Sequence, residues 1–147
     1  MFKIKDRFAS SAGLSFFYLI FYGILYIILV KGGVRMCSKR QLDELLSAVI
    51  TEAKNIFGAK LNSVILYGSY ARGDYDEESD VDIMFLVDTS SESLSLFRKE
   101  IDSLCGRLLY EYGIVVSITE RDIETYNRYA SILPFYQNVE REGVKIA

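Results

Sequence analysis

No charged side chain lies between residues 8 and 30, and from residue 14 to residue 30 the chain is apolar on every face of a helix. Crossing about 30 Å of hydrocarbon takes about 20 such residues. The run therefore has the length of a membrane helix, with basic residues at both ends. Tyr18, Tyr22 and Tyr26 fall on one helical stripe, unlike the end-placed aromatic belt of most spans. No small-x-small site follows Val30, which argues against a cleaved signal peptide. Lys31, Arg35, Lys39 and Arg40 favour a cytoplasmic C-terminal side, and Lys3, Lys5 and Arg7 pull the other way. A second reading competes with the anchor. Met36 opens what reads as a complete domain, and Lys31-Gly32-Gly33-Val34 can be encoded by a purine-rich stretch resembling a bacterial ribosome-binding site. Met36 is then the start, and a native peptide spanning Lys31 to Gln41 would exclude it. Both readings divide the chain into a hydrophobic segment, 1–35, and a domain, 36–147. That domain is expected in the cytoplasm, membrane-anchored only if the segment is retained.

Charge divides the chain at the same place. Residues 1–35 carry five basic residues against one acidic, a balance of +4; the other twelve basic and nineteen acidic residues give 36–147 a balance of −7. An acidic domain is poorly suited to nucleic-acid backbone, so no direct nucleic-acid binding is expected. The 147 residues include no histidine. This excludes Ser-His-Asp and Cys-His nucleophiles, His-ligated zinc or haem, and imidazole acid–base catalysis. Cys37 and Cys105 form no CxxC pair, so neither a zinc ribbon nor a disulfide framework is expected. With half its residues apolar, the chain can bury enough surface to offset the entropy of ordering.

From Ser38 onward the pattern is regular. Ser38-Lys39-Arg40-Gln41 reads as a capping box. Leu42, Leu45, Leu46, Val49, Ile50, Ala53 and Phe57 follow at helical spacing, and Gly58 can stop the helix. Residues 62–67 form a short apolar run that suits a buried strand, ending at Gly68-Ser69. Residues 70–79 are polar. Residues 80–88 alternate, with Val81, Ile83, Phe85 and Val87 on one face and Asp80, Asp82, Met84 and Leu86 on the other. Leu94, Phe97, Ile101, Leu104, Leu108 and Leu109 predict a second long helix closed by Gly113, with Cys105 on its apolar side. Residues 114–118 predict a third strand, and Thr119-Glu120-Arg121-Asp122 a capping box opening a shorter helix. Pro134 suits the first turn of a last helix ending near Gly143. The order describes one α/β domain whose few strands are backed by helices.

The stretch 68–88 carries the chemistry. Asp80 and Asp82, at i and i+2 of a strand, point to one side. Two such carboxylates repel and raise each other's pKa unless a cation lies between them. Hard divalent ions such as Mg²⁺ take carboxylate oxygens and share their shell with phosphate. An isolated Asp-x-Asp is nevertheless most often a solvated strand face. A strand ending at Gly68 allows close backbone approach to a ligand, and a turn opening at Ser69 offers N–H groups and a hydroxyl to anionic oxygens. Alone it is an ordinary tight turn. Arg72 can add positive charge there, or pair with an acidic neighbour.

Together, Gly68-Ser69, a spacer of ten residues and Asp80-x-Asp82 leading an apolar strand resemble the nucleotidyltransferase superfamily related to DNA polymerase beta. The chain looks most like its small stand-alone members, the minimal nucleotidyltransferases (MNT) that often pair with a HEPN-domain protein as toxin–antitoxin modules. The similarity covers nearly all of 36–147. It implies an α/β (α+β) fold, a small mixed β-sheet backed by helices, here preceded by a separate hydrophobic N-terminal helix. It implies that Gly68 and Ser69 hold a nucleoside triphosphate such as ATP, to which Arg72 is a candidate additional contact by its charge, and that Asp80 and Asp82 bind two Mg²⁺ ions and are catalytic. The implied reaction moves a nucleoside monophosphate, AMP in the first instance, to a hydroxyl of a partner protein or small molecule. One departure stands out: the family usually has a third carboxylate on the next strand, where this chain has Val116-Ser117-Ile118. Ser117 is neither an anionic ligand nor a useful base at neutral pH. Glu120 is close in sequence, but alternation sends it to the opposite face. The alternative is thus a catalytically weak or inactive nucleotide-binding subunit that acts, antitoxin-like, by binding a HEPN-type partner.

Overall fold

Ser38 caps the first helix as its sequence predicts. The Ser38 hydroxyl accepts from the Gln41 backbone N–H at 3.3 Å, while the Gln41 side-chain oxygen accepts from the Ser38 N–H at 3.1 Å. Helix α1, Lys39–Phe57, follows and stops at Gly58, whose φ of +55° few other residues adopt. In this computed structural model residues 38–147 are described. The apolar run 8–30, the proposed start at Met36, Cys37 and the boundary at 35/36 lie outside them. Among the described residues no helix is long and apolar enough to cross a membrane.

A single 3-10 turn leads into strand β1, Leu61–Tyr67, and a short helix, α2, occupies Gly68–Arg72. Strand β2 is Val81–Val87, so Asp80 and Asp88, expected within the strand, flank it, and only Asp82 of the aspartate pair lies on the ladder. The long helix predicted from residue 94 is broken in three: α3, Ser91–Leu94; a 3-10 turn, Ser95–Phe97; and α4, Arg98–Tyr112. Ser90 caps α3, and Ser95 bonds back to the preceding turn where the helix tightens. The Ser90 hydroxyl accepts from the Ser93 N–H at 3.3 Å, and the Ser95 hydroxyl donates to the Glu92 carbonyl at 2.7 Å. Gly113, at φ +70°, closes α4.

Strand β3 runs from Val116 to Asp122, four residues past its predicted end. The capping box expected at 119–122 is therefore not formed. Thr119, Glu120 and Arg121 pair in parallel with Met84, Phe85 and Leu86 of β2, and the ladder prevails over the local capping pattern. Asp122 is the cap: its carboxylate accepts from the Thr125 N–H at 2.7 Å and opens α5, Ile123–Tyr129. Helix α6, Pro134–Glu142, starts on its proline as expected. Val144–Lys145 then form an unpredicted strand, β4, antiparallel to β1.

The four strands lie in the order β3-β2-β1-β4, a mixed sheet with β1 and β2 antiparallel and β2 and β3 parallel. Parallel strands need a long crossover, and α3 with α4 provides it. Alternation along β2 sorts the two faces. Val81, Ile83, Phe85 and Val87 join Val64, Leu66 and Val116 against the apolar sides of α1 and α4. Phe57 packs edge-on to Phe85 at 5.8 Å and lies 4.9 Å from Phe97. Each fully buried side chain of this kind contributes about 1.5–3 kcal/mol. Met84 and Leu86 form a smaller core with Tyr126, Tyr136 and Val139 of α5 and α6. Asp82 begins that second face, at the edge of its apolar cover.

Candidate active site

Strand register brings three side chains into one row across the sheet. Asp82 on β2 is opposite Tyr67 on β1 and opposite Ser117 on β3. Side chains in register on adjacent strands share a face, so Ser117 stands directly beside Asp82. One step inward, Thr119 is in register with Met84, and its hydroxyl lies 3.3 Å from that of Tyr67. Neither Tyr67 nor Thr119 is singled out by the sequence: Thr119 reads as a helix cap, and the contact joins residues 52 apart.

Gly68 follows Tyr67 and turns the chain. Its φ is +72°, and a Cβ placed on it would collide with the Asp82 carboxylate. Only glycine tolerates both constraints. The main chain of the Gly-Ser turn and a carboxylate of the Asp-x-Asp pair are thus in direct contact. The Ser69 carbonyl accepts from the N–H groups of Gly73 at 2.8 Å and Asp74 at 3.1 Å, which closes the turn.

Burial raises the Asp82 carboxyl above its ordinary value, the charge of Asp80 adds to the rise, and Arg72 offsets part of it. Burial is the larger cause, and the like charge of Asp80 acts in the same direction. Asp80 is exposed and Asp82 half-buried. Burial also raises the Tyr67 phenol; the Thr119 hydrogen bond opposes the rise and the Asp82 charge reinforces it.

Arg72 pairs with acidic neighbours. Its guanidinium bonds to Asp74 at 3.0 Å and, across the molecule, to Glu142 at the end of α6 at 3.2 Å. The partner 70 residues away leaves no trace in the local sequence. Glu120 lies on the opposite face from Ser117, as alternation predicts. It is buried there and pairs with Arg98 at 3.5 Å.

Among the described residues no group of three or more Asp, Glu, Cys or His side chains is placed to hold a metal ion. The Asp80 and Asp82 pair offers two carboxylates at most. That donor set suits Mg²⁺, which commonly takes one or two protein carboxylates and completes its shell with water and phosphate. The contact between Gly68 and Asp82 fits the same chemistry, because phosphate held by the turn would lie beside these oxygens.

The chain is similar to known proteins. Two relatives from Methanocaldococcus jannaschii are both named putative protein adenylyltransferases. One is 35% identical over 101 residues, spanning 69% of this chain and 93% of the relative. The other is 37% identical over 109 residues, spanning 72% and 99%. A crystal structure of a putative nucleotidyltransferase from Sulfolobus solfataricus superposes with a TM-score of 0.46 at 21% identity, over 72% of this chain and 82% of that one, too distant to inform the site. Residues 46–137, which include β1, the Gly-Ser turn, both aspartates and Ser117, match the family described as the nucleotidyltransferase domain. The chain is a member of the nucleotidyltransferase domain family.

Proposed function

We propose that this nucleotidyltransferase is an adenylyltransferase that moves AMP from ATP to a hydroxyl of a partner protein or small molecule. The observation that carries the reading is the contact of the Gly68 main chain with the Asp82 carboxylate, because it joins the phosphate-binding half of the motif to its anionic half. The relatives' names supply the nucleotide and the class of acceptor. Gly68 and Ser69 cradle the triphosphate, and Arg72 joins them by exchanging its pairs with Asp74 and Glu142 for phosphate. Asp80 and Asp82 hold magnesium, which when bound lowers the pKa of the acceptor hydroxyl and steadies the leaving pyrophosphate. The acceptor oxygen bonds to the α-phosphorus, the bond to pyrophosphate breaks, and the hydroxyl proton leaves to water. Ser117, lacking a charge, contributes no base.

The test is transfer of label from α-labelled ATP by the full chain, given its partner, with Mg²⁺. Asp80→Ala combined with Asp82→Ala should lower transfer by about 100-fold or more. Persistent transfer in that variant would refute the assignment of the two aspartates.

Ser117 in register with Asp82 favours a second reading. A row with one carboxylate fewer binds its cation more weakly, and the chain then acts as a nucleotide-binding subunit that neutralises a HEPN-type partner by contact. On this reading, association with the partner is tight and unchanged in the double-alanine variant, and no label is transferred.

A further inference from the structure

Asp80 is the last residue of the segment between α2 and β2, so how firmly it is held beside Asp82 depends on a loop whose own composition opposes close packing. Asp74, Asp76, Glu77 and Glu78 all precede Asp80 in a short loop, and all four are exposed. Asp74 is held to α2 through Arg72 at 3.0 Å; repulsion among Asp76, Glu77 and Glu78, and with the Asp80 and Asp82 pair, drives the rest of the loop outward. Tyr75 is half-buried among these exposed neighbours. Its ring stacks on that of Tyr70, with centroids 4.1 Å apart and planes 6° from parallel. Tyr70 is 6% exposed and belongs to the main core, and Tyr75 packs against the same cluster. Tyr70 is also the residue after Ser69, so the stack ties the acidic loop to the helix that carries the Gly-Ser turn. Beyond it, the Asp76 carboxylate accepts from the Glu78 N–H at 3.0 Å and the Ser79 hydroxyl at 2.8 Å. This folds the segment between Tyr75 and Asp80 into a turn.

We infer that Tyr75 is a positioning residue: by stacking on Tyr70 it holds the acidic loop against α2 and thereby sets Asp80 beside Asp82 for metal binding. The inference rests on the reading that these aspartates hold the metal. Aromatic pairs of this kind contribute enough to change the population of an ordered loop about three- to tenfold, and apparent affinity falls with the fraction of the binding-competent form.

The experiment titrates the full chain with Mn²⁺, following free metal by electron paramagnetic resonance, and measures label transfer as a function of metal–ATP. Tyr75→Ala should weaken Mn²⁺ binding and raise KM by about three- to tenfold, with kcat at saturating metal within about twofold of the parent. Tyr75→Phe, which keeps the stack, should restore both. Tyr75→Leu, which keeps apolar burial without a ring, should resemble the alanine variant and serves in its place if that variant does not fold. Parental Mn²⁺ affinity in Tyr75→Ala or Tyr75→Leu overturns the inference, as does a Tyr75→Phe variant as weak as alanine. Asp82→Asn separates the two failures. If it too binds Mn²⁺ like the parent, the metal reading fails, and the inference with it; if it loses binding while the Tyr75 variants retain it, only the inference fails.

Discussion

Replacing Gly68 with alanine should cost stability by two separable routes, and the structure provides the control for each. A residue other than glycine held in the left-handed region costs about 1–2 kcal/mol. Gly113, at φ +70° with open space around its would-be Cβ, isolates that cost, whereas at Gly68, at φ +72°, the added carbon overlaps the Asp82 carboxylate. Overlap of this kind adds about 1–3 kcal/mol. Gly113→Ala should thus lose about 1–2 kcal/mol and Gly68→Ala about 2–5 kcal/mol. Each kcal/mol lowers Tm by about 3–5 °C in a domain of this size. The assay is thermal and urea unfolding, followed by far-ultraviolet circular dichroism, of both single variants and of Gly68→Ala made in an Asp82→Ala background. Without the carboxylate the nearest Asp82 atom to the new carbon is its Cβ at 3.3 Å, which a small shift relieves. The second cost should therefore vanish there, leaving only the backbone cost. Equal losses at Gly68 and Gly113, or an unchanged loss at Gly68 when Asp82 is alanine, would show that the turn and the carboxylate do not touch and would remove the main support for the site.

Asp82→Asn should abolish transfer and raise the unfolding midpoint of the metal-free chain at neutral pH. The sign follows from its raised pKa: the contribution of Asp82 is fully present below its unfolded value and is lost as pH rises through the folded one, so the gain should shrink in acid unfolding titrations. Asp122 should behave oppositely. Burial pushes its carboxyl up, but hydrogen bonds from Ser91 and Thr125 together bring it below the ordinary value; its contribution is therefore lost as pH falls through the folded value, and Asp122→Ala should cost about 1–2 kcal/mol at neutral pH and less in acid. Cys105, whose thiol burial pushes up to about 11, should react with a disulfide reagent at neutral pH about 100-fold more slowly than in the unfolded chain, as read by peptide mapping of that residue. Ser117→Asp should lower Tm without metal, through repulsion of Asp82, and Mg²⁺ should restore it.

Local sequence determined a good part of this molecule. Ser38 to Gly58 is a helix because its cap, its apolar spacing and its stop are all local signals, and the structure keeps each one. The two faces of β2 follow from alternation alone, which also placed Glu120 away from Ser117. The candidate site residues could be proposed from the spacing of Gly68-Ser69 and Asp80-x-Asp82 together with a family resemblance, because glycine at a turn and paired aspartates at the start of a strand carry their chemistry in residue type. The sequence was misleading or silent wherever a distant partner decided the outcome. Thr119 lies in a strand because β2 offers it a ladder worth more than a cap. Val144 and Lys145 form β4 because β1 has a free edge for them. Arg72 is drawn to Glu142 on another helix, and Tyr75 finds Tyr70 across the loop. That Gly68 touches Asp82, and that Ser117 stands beside it, follows from strand register, which long-range pairing fixes and no local spacing encodes.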